Sequence, residues 1–228
     1  MGKSSSGGLC AKQHILYLLY ITLFLLPLNP FLFYVPLLPA VILWLVNWRK
    51  KGEVAMTLPP LWQPGAVFLT AAFLSGFVSK NTGFSLMNWA LQPLMYALVY
   101  LLIYTTVSSE KEKEKALYAF LAGAVVTVVY GFFQYANAAG MAADMEAQSW
   151  VDPERFPLLR RRMYSTLENP NLFGAYLLMV ISILTAFTLR EKAVKRKTVF
   201  GVILFSLLLC LALTYSRGAW VSLAAIVL

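Results

Sequence analysis

The chain has 228 residues, 60% of them hydrophobic and 13% charged, with a mean hydropathy of +0.69. That is far more apolar than a soluble domain, and the apolar runs are long, unalternating and rich in Leu, Val and Phe, which argues against a β-barrel and for an all-α, polytopic membrane helix bundle. The net charge of +9 comes in short clusters between those runs, where it sets topology and argues against nucleic acid; Cys10 and Cys210 stand alone, without the spacing of a disulfide framework or a zinc site.

Residues 1–13, rich in Ser and Gly and carrying Lys3 and Lys12, read as a disordered cytoplasmic tail. A transmembrane domain is expected from His14 to Leu228. The text from His14 to Trp48 is almost wholly apolar, but Pro27, Asn29, Pro30, Pro36 and Pro39 interrupt it. Two short spans are predicted there, His14 to Leu28 and Phe31 to Trp48, about 22 Å and about 27 Å long. Arg49, Lys50 and Lys51 then return the chain to the cytoplasm, whereas a single crossing would invert everything after it. Leu61 to Ser79 reads as the third span and Ser85 to Val107 as the fourth, with Lys80 to Gly83 outside. The Glu110 to Lys115 run, balanced in charge, reads as a solvated cytoplasmic connector. Ala116 to Ala136 is the fifth span, with Ala119, Gly123 and Gly131 small enough for close helix packing.

Residues 137–168 form the longest polar segment, read as an outer loop, and a loop of that length is uncommon unless it is functional. It runs through Arg160, Arg161 and Arg162 into Asn169-Pro170-Asn171, where the sixth span is predicted to begin. Pro170 lacks an amide donor and suits the first helical position, and Asn169 before it is driven out of the α region and can cap. A competing capping box, Ser165 with Glu168, would put Pro170 in the second turn, where its ring clashes. The sixth span ends at Leu189, a basic stretch from Arg190 to Lys197 lies inside, and Thr198 to Thr214 is the seventh. Arg217, about 28 Å along the helix from Thr198, then reaches the outer interface. Ala219 to Leu228 make about half a span. About seven complete transmembrane helices and a truncated eighth are expected, with the domain continuing beyond Leu228.

On this topology most Lys and Arg residues are cytoplasmic, and those left outside are Lys80, Arg155, Arg160, Arg161, Arg162 and Arg217. Arginine rather than lysine, beside a helix N-terminus with its outward amides, points to bidentate binding of an oxyanion such as phosphate.

Two motifs resemble the O-antigen ligase and polymerase superfamily of bacterial membrane glycosyltransferases. One is Arg162-Met163-Tyr164-Ser165-Thr166-Leu167-Glu168-Asn169-Pro170-Asn171 with Gly174 and Tyr176, similar to the family's Arg-x-x-Ser-Thr-x-x-Asn-Pro-Asn segment. The other is Leu213 to Trp220, similar to its Thr-x-Ser-Arg-Gly-Ala segment. With the matching hydropathy, the resemblance covers most of residues 61 to 228. It implies transfer of a glycan from an undecaprenyl-diphosphate carrier to an acceptor on the outer face of the cytoplasmic membrane, in lipopolysaccharide or other envelope polysaccharide synthesis, with no cofactor and no metal. It further implies that Arg162 and Arg217 bind the lipid diphosphate. Glu168, Asn169 and Asn171 would support them. The histidine to which the family assigns acceptor activation belongs to an outer loop with no counterpart here, since the only histidine, His14, lies at the start of the first span. The catalytic residue is therefore expected beyond Leu228, and these residues alone are expected to be inactive.

Plainer readings compete at each position. Arg160 and Arg161 are also headgroup contacts, Arg217 an interfacial anchor, Asn169 a helix cap, and Ser165 and Thr166 partners for loop backbone rather than nucleophiles. The rival function is a transporter or channel for a small anion, which calls for interrupted helices at mid-membrane depth.

Overall fold

A computed structural model describes residues 4–29, 31–51, 59–137 and 162–227. The described residues form nine α-helices and one 3-10 turn, with no strand among them. Helix α1 spans Ser4–Leu25, α2 Tyr34–Lys51, α3 Trp62–Val78, α4 Thr82–Leu91, α5 Pro93–Thr106 and α6 Glu110–Ala136. After the 3-10 turn Ser165–Leu167 come α7, Pro170–Arg190, α8, Val194–Leu213, and α9, Arg217–Val227. The expected all-α class is observed. Residues 138–161, which hold most of the expected outer loop and also Arg155, Arg160 and Arg161, lie outside the described residues.

Among the described residues, four helical segments are long and apolar enough to cross a membrane: Thr82–Thr106, Glu110–Ala136, Pro170–Arg190 and Val194–Leu213. Ala11–Leu25, Tyr34–Arg49 and Trp62–Val78 are apolar but shorter. This makes the protein a helical membrane protein, yet it corrects the expectation of seven complete spans. The physical reason lies in the chain breaks: α1 stops at Leu25 before Pro27, and α2 starts only at Tyr34, because Asn29 Oδ1 accepts from the Phe31 and Leu32 amides and holds a turn between them. A second correction concerns the amino terminus, where the helix begins at Ser4, inside the segment that composition reads as disordered. A third is the connector at Glu110, which is the first turn of α6: Ser109 caps the Glu112 amide at 3.2 Å, and Glu112 reaches back to the Ser108 and Ser109 amides at 2.8 and 3.0 Å. The charge alternation masked a capping box.

The chain packs as two compact units, Met1–Leu23 with Phe33–Tyr118, and Phe24–Leu32 with Ala119–Leu228. In the first, α3, α4 and α5 pack in sequence and α2 lies on α5. Trp89 Nε1 donates to the Leu69 carbonyl at 3.0 Å, Tyr34 and Tyr100 hydroxyls donate to the Leu91 and Pro60 carbonyls, and Lys12 pairs with Glu112 at 2.9 Å. Outward-facing Val67, Phe68, Leu74, Phe77 and Val78 on α3 are exposed, as lipid contact requires and water would penalise.

The second unit is built around α7. Phe173, Leu177, Val180, Ile181 and Leu184 recur at helical spacing and are buried, meeting a core from α8 that includes Leu207, Cys210 and Leu211. Small residues permit the closest approaches: a Cβ on Gly123 would stand 2.4 Å from the Phe24 carbonyl oxygen, and one on Gly131 3.1 Å from Met163 Sδ.

Candidate functional site

The segment from Arg162 to Asn171 is pinned on three sides within the second unit. On α6, Gln134 Oε1 accepts from the Ser165 amide at 2.9 Å and the Tyr164 amide at 3.4 Å, and the Ser165 hydroxyl donates to the Thr127 carbonyl at 2.6 Å. Thr166 donates to the Pro27 carbonyl at 2.6 Å. At the turn between α8 and α9, the Met163 amide donates to the Leu213 carbonyl at 2.9 Å. The hydroxyls of Ser165 and Thr166 thus satisfy backbone carbonyls. Gln134, buried, holds the segment by its amides; its position near the outer end of the fifth span was the only sequence signal for it.

Arg162 is 8% exposed. Its Nε donates to the Thr214 carbonyl at 2.8 Å and its Nη2 to Asn171 Oδ1 at 2.8 Å, so one guanidinium ties the segment to the α8–α9 turn and to the first turn of α7. Burial, and after it the positive charge of Arg217, pull this guanidinium below its ordinary pKa. A second cation is therefore within electrostatic reach of a buried one. Arg217 itself is exposed at the first residue of α9.

Asn169 is the cap of α7, accepting from the Asn171 amide at 2.8 Å and the Leu172 amide at 3.4 Å. The Ser165–Glu168 box does not form, because the Ser165 hydroxyl is turned to Thr127. Glu168 is exposed, with left-handed backbone at φ 58°, and makes no ion pair with Arg162. Among the described residues it forms no ion pair, and Arg160 and Arg161, the other members of the cluster it was expected to support, lie outside them. Three of the four described non-glycine residues with positive φ, Ser165, Glu168 and Tyr215, fall in the two motif segments. Each costs about 1 kcal/mol or more and persists only where surrounding contacts impose it.

Two grooves flank the start of α9. One, about 450 Å³, is almost wholly apolar and lined by Tyr215, Arg217, Trp220 and Val221. The other, about 370 Å³, lies between α7 and α9 and is lined by Asn171, Ala175, Ser216, Gly218, Ala219 and Ser222. Gly174 beneath it lets α9 come close, since a Cβ there would stand 3.0 Å from Ala219 Cβ and 3.3 Å from Ser216 Cβ. No cluster of metal-ligating side chains occurs among the described residues. No family model, no curated protein and no solved structure matches the chain, so the likeness of the two motifs to a known family rests on their residues alone.

Proposed function

We propose that the protein is a membrane glycosyltransferase of the O-antigen ligase kind, which moves a glycan from an undecaprenyl-diphosphate carrier to an acceptor at the outer face of the cytoplasmic membrane. The observation that carries this reading is the docking of segment 162–171 on turn 213–217, through Arg162 to Thr214 and Met163 to Leu213, which brings Arg162 to the turn that leads into Arg217, 55 residues further along the chain. Leaving a lipid diphosphate concentrates negative charge on phosphate oxygens, and preorganised guanidiniums there favour the transition state. Arg217, exposed beside an apolar groove, suits a ligand with a charged head and an apolar tail. Arg162 acts differently from the sequence expectation: with its fork engaged by Thr214 and Asn171, it supplies field and position. The strained backbone at Ser165, Glu168 and Tyr215 is in keeping with a site assembled for function. In this reading the amino terminus is cytoplasmic, and the segment before Arg162 faces outside.

The test is consumption of a lipid-linked glycan by the full-length protein in proteoliposomes, measured beside flux of small anions. Release of undecaprenyl diphosphate with transfer of the glycan is expected. Anion flux without donor consumption would instead establish a carrier.

A further inference from the structure

The span Thr82–Thr106 is broken near its middle, between α4 and α5. Pro93, in the first turn of α5, has no amide to return to the Trp89 carbonyl, and Gln92 before it leaves helical geometry at φ −113° and ψ −81°. At about 1.5 Å per residue the break stands about 15 Å from Thr82 and about 21 Å from Thr106, deep in a hydrocarbon core about 30 Å thick. Polar groups around this depth are served from inside the first unit: the Tyr34 hydroxyl donates to the Leu91 carbonyl, and Trp89 Nε1 donates to the Leu69 carbonyl.

Two side chains are not served. The side-chain amides of Asn88 and Gln92 have no hydrogen-bond partner among the described residues, in a medium where an unpaired amide is costly. They stand four residues apart, one turn above the other, and with Phe84, Met87 and Leu91 they form one outward strip of α4. Phe84, Met87, Leu91 and Gln92 are exposed and Asn88 is half-buried, while the other side of α4 lies on α3 through Trp89. No residue of the strip carries a charge.

We infer that this strip is the contact between two copies of the chain, joined within the membrane by their Asn88 and Gln92 amides. A primary amide both donates and accepts, so it is complementary to itself. Copies inserted in one membrane share one orientation, and a two-fold axis along the membrane normal brings each residue to its own counterpart at the same depth. Gln92 of one copy then exchanges two hydrogen bonds with Gln92 of the other, Asn88 does the same one turn away, and Phe84, Met87 and Leu91 pack around them. A neutral strip whose donors and acceptors match themselves asks for no oppositely charged partner, which favours a second copy over a different protein. The contact requires nothing of the reaction proposed above.

The experiment measures energy transfer between full-length chains carrying a donor or an acceptor dye at the amino terminus, reconstituted in phosphatidylcholine liposomes over a range of protein-to-lipid ratios. The wild type is expected to associate, and Gln92→Leu to associate about tenfold more weakly, the loss of two interhelical hydrogen bonds worth about threefold each. Asn88→Leu combined with Gln92→Leu is expected to weaken association by about a hundredfold. Leucine suits both helix and lipid, and an unchanged melting temperature verifies the fold of these variants; should it fall, cross-linking carries the test. With Cys10 and Cys210 changed to alanine, oxidation is expected to join copies bearing Met87→Cys, on the strip, and not copies bearing Phe68→Cys, exposed on α3. The inference is overturned if the wild type shows no transfer at any ratio, or if a folded double variant associates as tightly as the wild type. It is equally overturned if Met87→Cys fails to join copies that show transfer, or if Phe68→Cys joins them as readily.

Discussion

Arg162 and Arg217 carry the same charge in opposite surroundings, and their substitutions should therefore fail in different ways. Lysine at 162 keeps the charge but cannot span Thr214 and Asn171 with one planar fork, so Arg162→Lys is expected to lose about 1 to 3 kcal/mol of stability as well as activity, read by denaturant titration in detergent. The motif by itself predicts a folded protein for both lysine variants; burial at 162 changes that. Arg217→Lys leaves no buried group unpaired, so its melting temperature should stay at the wild-type value while glycan turnover drops by about a hundredfold. Wild-type turnover in Arg217→Lys would count against the proposed function. Glu168 offers a third contrast: exposed, left-handed and without an ion pair to Arg162, it should yield a more stable protein by about 0.5 to 1 kcal/mol as Glu168→Gly, because glycine adopts φ 58° without Cβ crowding. Glu168→Gln should keep activity within a few-fold, whereas a loss of about 10² or more would mark a general acid or base.

At the scale of elements, close backbone approach decides which glycines matter. Gly123 faces the Phe24 carbonyl, a backbone atom that cannot rotate away, while Gly131 faces the flexible thioether of Met163. Gly123→Ala is expected to cost about 2 kcal/mol and Gly131→Ala well under half of that, measured by thermal unfolding of each single variant. Equal costs would mean that α6 shifts as a unit. The capping box at the start of α6 behaves likewise as a local device: Ser109 and Glu112 satisfy each other's amides, and Lys12 from α1 adds an ion pair at 2.9 Å, side chains 34% and 20% exposed, too open to water to add much more.

For the whole molecule, the proposed orientation is tested by cysteine labelling. A cysteine replacing Ala147, in a background with Cys10 and Cys210 changed to alanine, should react with a membrane-impermeant maleimide in intact cells; reaction only after the cells are opened would reverse the topology. Composition together with the long, unalternating apolar runs determined the class, because backbone in lipid must satisfy its own hydrogen bonds and runs without alternation do so as helices rather than as a barrel. Sequence also placed the Asn169 cap and the start of α7 at Pro170, since proline's missing amide leaves one local solution. Span number was less legible. Apolar text continues through the turns around Pro27 and Gln92, and helix length, not hydropathy, decides whether a segment is long enough to cross. The two arginines were legible as a motif but not in their division of labour, which depends on Arg162 being buried against a carbonyl 52 residues away and Arg217 being left in the open. For Gln134 the sequence offered only its place near the outer end of a span, not its task of holding the Tyr164 and Ser165 amides, because a polar side chain declares its role only through the neighbours that tertiary packing brings to it.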